Sequence, residues 1–106
     1  MQVLVVSCTF PDHETAERIS RLAVENRLAA CATLVSDAES IYRWKGRIET
    51  ALETAVTFKT TQDRLLALQA FVLEEHPYEV PEMVAWQVAD GAPAYLAWVE
   101  QSTRQK

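Results

Sequence analysis

The chain has 106 residues, 49% of them apolar and 24% charged, with two glycines and four prolines. That composition is ordinary globular usage and excludes disordered, collagen-like and low-complexity classes. Ten basic against fifteen acidic side chains leave a net charge of −5, so no domain-wide positive field exists to hold nucleic acid or an anionic membrane.

Val3-Leu4-Val5-Val6-Ser7-Cys8 is a β-branched run ending before Pro11, the pattern of a strand covered on both faces. Asp12 then reads as a helix N-cap. Ala16, Ile19, Leu22 and Ala23 follow at helical spacing, with Glu14, Glu17, Arg18, Arg21 and Glu25 left for solvent. Cys31-Ala32-Thr33-Leu34-Val35 returns to strand, and Ser36 to Ser40 interrupts it as a turn or bulge before Ile41-Tyr42-Arg43-Trp44. Lys45-Gly46 is a hairpin turn, since glycine supplies the positive φ that tight turns need.

Ile48 to Lys59 satisfies both periods. Its threonines and the preceding Gly46 favour a strand, with Ile48, Leu52, Val56 and Phe58 on one face. About 12 residues of strand reach on the order of 40 Å, whereas a domain of this size has a radius of gyration of only about 13 Å. Such a hairpin overhangs its own core and calls for other subunits to cover it. Thr60-Thr61-Gln62-Asp63 matches a capping box ahead of Leu65, Leu68, Phe71 and Val72 at helical spacing. The stretch His76-Pro77-Tyr78-Glu79-Val80-Pro81-Glu82 ends that helix, because its two prolines cannot continue it. Met83 to Val88 is a fourth strand, Asp90-Gly91 a turn, and Pro93 opens a last helix carrying Leu96 and Val99. The order β-α-β-β-α-β plus a terminal helix predicts an α+β, ferredoxin-like domain spanning residues 1–106, with no linker or repeat.

No phosphate-binding glycine loop, nucleophile elbow or HExxH pair is present. Apolar runs such as Leu28 to Ala32 are far short of the roughly 18 residues a membrane span needs. The N-terminus lacks a basic stretch, and two cysteines without CxxC spacing read as free thiols, so the expected location is the cytosol. Cys8, His13, Cys31, His76 and the carboxylates around the two prolines remain as functional candidates. Cys8, at a strand end beside a helix N-terminus, is either a soft metal ligand or a buried small apolar residue. Cys31 reads as packing and His13 as surface. His76 is either a helix C-terminal cap or, with Glu75, Glu79 and Glu82, part of a divalent-ion site. Trp44, Trp86 and Trp98 read as core or interface anchors, and Glu49 and Glu53 as a solvated pair. A nucleophilic role for Cys8 lacks a base nearby in sequence.

Taken together these pieces resemble the CutA divalent-cation tolerance family. The resemblance rests on Cys8-Thr9-x-Pro11-Asp12, Leu28-Ala29-Ala30-Cys31-Ala32 and Tyr42-Arg43-Trp44-Lys45-Gly46, then on Lys59-Thr60-Thr61, His76-Pro77-Tyr78-x-x-Pro81-Glu82 and Tyr95-Leu96-x-Trp98. It spans nearly the whole chain. It implies a non-enzymatic homotrimer, similar to the signal-transducing PII proteins, whose long hairpin strands pair between subunits. It further implies divalent-metal binding, copper(II) among the candidates, with Cys8, His76 and Glu82 as metal ligands and no cofactor needed for folding. Some members carry a second histidine before the first; here that position is Glu75, a harder donor that weakens copper preference. The alternative reading is a PII-like regulatory module that binds a small molecule or protein partner in inter-subunit clefts.

Overall fold

The computed structural model describes residues 2–105. Its strands are β1 (Val3–Phe10), β2 (Cys31–Trp44), β3 (Arg47–Thr61) and β4 (Met83–Gln87), and its helices are α1 (His13–Glu25), α2 (Leu65–Glu75) and α3 (Pro93–Thr103). They form one four-stranded sheet in the order β2-β3-β1-β4 with every neighbour antiparallel. This is the predicted ferredoxin-like α+β arrangement with a terminal helix.

Strand alternation divides the work between the two faces of the sheet. Val6, Cys8 and Phe10 of β1 and Val56 and Phe58 of β3 point to one face, where they pack with Ala16, Ile19 and Ala23 of α1 and Leu68 and Val72 of α2. Asp12 caps α1 as expected, its Oδ1 accepting from the Thr15 N–H at 2.8 Å. On the opposite face Val3, Ala30 and Val99 make a smaller cluster under α3, and the Thr61 and Thr103 hydroxyls meet there at 3.3 Å. Beyond α3 that face is open, so Val5, Ser7 and Thr9 are only half-buried and β1 is not fully covered on both sides.

The capping box before α2 does not form. A 3-10 turn, Gln62–Arg64, intervenes without a side-chain cap. The Thr60 hydroxyl instead donates to the Leu28 carbonyl at 2.7 Å, and that of Thr61 to Asp63 Oδ1 at 2.7 Å. A tertiary partner has taken the Thr60 hydroxyl, and the neighbouring Thr61 the Asp63 carboxylate.

The β2–β3 hairpin gives the molecule its shape, 44 × 26 × 21 Å with a radius of gyration of 14.3 Å. Its turn has Lys45 at φ 50° and Gly46 at φ 79°, positive at both central positions as a type I′ turn requires. The interruption read at Ser36 to Ser40 is a bulge within one strand. Val35 pairs Ala55 and Ala38 pairs Glu53, so Ser36 and Asp37 together oppose Thr54, with Asp37 at φ 60°. Adding one residue swaps the faces of everything that follows. Ile41 thereby joins Ile48 and Leu52 on the helix side, beyond the reach of either helix, at 68%, 61% and 64% exposure. Ser40, Tyr42 and Trp44 are aimed at the other face, beside Glu53.

Candidate functional site

Pro77 forces the residue before it out of helical backbone, and His76 ends α2 with ψ 134°. Its ring turns inward and stacks on Phe10, centroids 4.5 Å apart and 16° from parallel. Nδ1 accepts from the Tyr78 backbone N–H at 3.1 Å, and Nε2 lies 2.7 Å from the Thr9 carbonyl. An acceptor at Nδ1 assigns the proton to Nε2, which donates to Thr9. His76 thus holds the C-cap position of α2, its backbone N–H donating to the Val72 carbonyl at 2.9 Å, while its ring acts as a clamp that fastens the 76–82 segment to the end of β1.

That clamp delivers Tyr78 to Glu53, whose Oε2 accepts from the phenol at 2.5 Å. Burial first, and then the Glu53 carboxylate, push the Tyr78 hydroxyl well above the usual phenol range. Glu53 is 8% exposed, not the solvated residue its sequence context suggested. Nothing around Glu53 in the sequence signals this, because the covering residue lies 25 positions further on. Past Tyr78, the chain runs on to Glu82, whose Oε2 accepts from the Ser7 hydroxyl at 3.1 Å. Between this segment and the hairpin lies a cleft of about 690 Å³. Glu53, Glu79 and Glu82 supply its charge, and Tyr42, Trp44 and Tyr78 its aromatic surface.

Cys8 lies directly beneath, fully buried in the main core, its Sγ 3.8 Å from the same Thr9 carbonyl that holds His76. Burial, followed by the negative charge of Glu82, pushes its thiol up to about 12; the Thr9 contact opposes this and Glu53 adds to it. Cys8 and His76 thus meet at one carbonyl with Glu82 in electrostatic reach. Elsewhere the candidates disperse. Glu75 pairs with Arg18 of α1 at 3.2 Å. His13 Nδ1 lies 2.9 Å from the Ser36 hydroxyl at the bulge. Cys31 Sγ is 3.5 Å from the Tyr95 hydroxyl, and this bond, with burial, pushes Tyr95 up to about 12. Both cysteines are free thiols. Trp44, Trp86 and Trp98 are all roughly half exposed, and none joins the core of the single chain.

Residues 4–102 match the model of a family described as CutA1 divalent ion tolerance protein. The chain belongs to that CutA1 family. It is 46% identical over 95 residues to mouse Protein CutA, covering 90% of this chain and 54% of the mouse protein; the chain spans about half the length of that relative. Identity to the divalent-cation tolerance protein CutA of Yersinia pestis is 37% over 99 residues, 93% of this chain and 83% of the other. The crystal structure of CutA from Xylella fastidiosa superposes with a TM-score of 0.95 at 40% identity, covering 98% of this chain and 100% of that one. A further CutA structure, from Archaeoglobus fulgidus, is described as a periplasmic divalent cation tolerance protein, with a TM-score of 0.93 at 29% identity over 96% of this chain and 99% of that one.

Membership places the chain among divalent-cation tolerance proteins. The thiol, imidazole and carboxylate of Cys8, His76 and Glu82 are donor types that suit a borderline ion. Each already takes part in hydrogen bonds, however. An ion at His76 competes with Thr9 and Tyr78, and an ion at Cys8 must displace a strongly held proton. Among the described residues no group of three or more His, Cys, Asp or Glu side chains is arranged to hold a metal. No helix among them is long and apolar enough to cross a membrane.

Proposed function

We propose that the chain is a non-catalytic, cytoplasmic homotrimer of divalent-metal tolerance that binds copper(II) through Cys8, His76 and Glu82. The convergence of Cys8 and His76 on the Thr9 carbonyl, with Glu82 alongside, carries this reading. Binding would exchange existing hydrogen bonds for metal bonds, which makes the site selective for ions that bind nitrogen and sulfur strongly over hard ions such as magnesium. Two free thiols suit a reducing compartment. The apolar hairpin end supports assembly, since Ile41, Ile48 and Leu52 are left uncovered by the single chain.

Calorimetric titration of copper(II) tests the metal reading. Cys8→Ser and His76→Ala should each lower affinity at least about tenfold, while Cys31→Ser leaves it unchanged. An isotherm that neither removal alters would exclude the site. A second reading, a PII-like module that holds a small molecule in the lateral cleft, is favoured by the cleft itself. Its volume of about 690 Å³ is that of a small-molecule pocket and far exceeds what a single ion fills.

A further inference from the structure

Glu53 poses a specific electrostatic problem. Its carboxylate is more than nine-tenths buried, yet among the described residues the Tyr78 hydroxyl on Oε2 is its one hydrogen-bond partner, and no cation pairs with it. Buried carboxylates are normally matched by a positive charge, because an unpaired one costs several kcal/mol. The cleft that Glu53 lines adds Glu79 and Glu82, and no Lys, Arg or His lines it. No described residue of the chain therefore supplies the missing charge.

The aromatic walls narrow the class of cation. Tyr42, Trp44 and Tyr78 line the same space, and ring faces attract ammonium and guanidinium groups. The Trp44 ring already holds one ammonium, with Lys45 Nζ 5.8 Å from its centroid. The remaining walls are partly apolar, through Ile41, Val80 and Pro81, which offers a hydrated metal ion nothing. An organic cation with an apolar body uses both surfaces. The bulge at Ser36 and Asp37 is what brings them together, since without its change of face Tyr42 and Trp44 would project away from Glu53.

We propose that the cleft between the hairpin and the 78–82 segment is a binding site for an organic ammonium or guanidinium ion carrying an apolar or aromatic group, with Glu53 as the buried counter-charge and Trp44 as the aromatic wall. This rests on the second reading above, that the cleft holds a small molecule, and shares Glu82 but neither Glu53 nor Trp44 with the proposed copper site.

Calorimetry of the full chain at low salt, with 2-phenylethylammonium as the probe and 2-phenylethanol as its uncharged counterpart, tests it. The ammonium should saturate and bind at least about tenfold more tightly than the alcohol, the ratio expected when a charged hydrogen bond is gained. Glu53→Gln should remove that preference, Trp44→Leu should weaken ammonium binding several-fold, and Glu14→Gln on the α1 surface should change nothing. Should Glu53→Gln fail to fold, the comparison of the two probes on the unaltered protein decides alone. Equal binding of the two probes, or no saturation by about 10 mM, overturns the proposal. A parallel nucleotide panel separates the two claims. Nucleotide binding without ammonium binding leaves the cleft as a ligand site and removes the cation, whereas silence from both removes the site as well.

Discussion

The two ends of the β2–β3 hairpin are built from similar residues and meet opposite fates. Near α1 and α2, Val56 and Phe58 are fully buried between the sheet and both helices. Four to ten residues earlier on the same face of β3, Leu52 and Ile48 stand in the open with Ile41. Nothing in strand propensity or hydropathy separates the two sets. The difference is that the helices end while the strands continue, so one half of the strand is a core and the other, on the homotrimer proposal, is an interface between subunits. Apolar character in a strand thus does not record whether its own chain covers it.

The first way to sharpen this contrast is a matched pair of truncations. Phe58→Ala should cost about 3–5 kcal/mol at any protein concentration, as large core deletions do. Leu52→Ala should cost little in the isolated subunit and act through assembly, so its effect on the melting temperature should grow with protein concentration. Denaturant titrations of both variants at two concentrations a hundredfold apart check this. A Leu52→Ala effect independent of concentration would mean that the hairpin end has no partner.

Alkaline titration probes the packed end. The Cys8 thiol is shifted from 9.0 to about 12, and Tyr78 and Tyr95 are also raised from 10.0. Raised acids stay protonated when folded while their unfolded counterparts ionise. Their contribution is therefore complete below about pH 9 and is lost as the pH climbs towards the folded values. Each such group steepens the fall by at most about 1.4 kcal/mol per pH unit. Cys8→Ala should remove the part that begins near pH 9, and Tyr78→Phe the part that begins near pH 10. Stability curves that superpose for all three proteins would contradict the burial assigned to these groups. The smallest expected effect is at the α1 cap. Asp12, whose carboxyl is held below its usual range by the Thr15 N–H and hydroxyl, should give a stabilisation present above about pH 4 and lost below it. Asp12→Ala should lower the melting temperature by a few degrees at neutral pH and by nothing in acid.

What was legible in the sequence follows the same division. Local chemistry was readable: the Asp12 cap, the Lys45-Gly46 turn, the helix stop at Pro77 and the succession of strands and helices each rest on residues adjacent in the chain. The capping box at Thr60 to Asp63 failed because Leu28, over 30 positions away, claims the Thr60 hydroxyl. Glu53 was misread because Tyr78 covers it from a segment that reaches it only in the fold. His76 stood out in the sequence as a candidate, but its ring direction depends on Phe10 and Thr9 across the sheet. Cys8 was left between ligand and core residue by its sequence context. Its burial and raised thiol show the core role, and copper binding would have to overcome both.

The account stands on the claim that the hairpin end is an interface, and the solution mass tests it most directly. Light scattering from the unaltered protein in dilute solution should give three times the 12.0 kDa of the single chain, and Leu52→Asp should shift that mass downwards by placing a charge where subunits meet. A mass near 12.0 kDa for the unaltered protein would contradict it, leaving Ile41, Ile48 and Leu52 exposed to water with no partner to explain them.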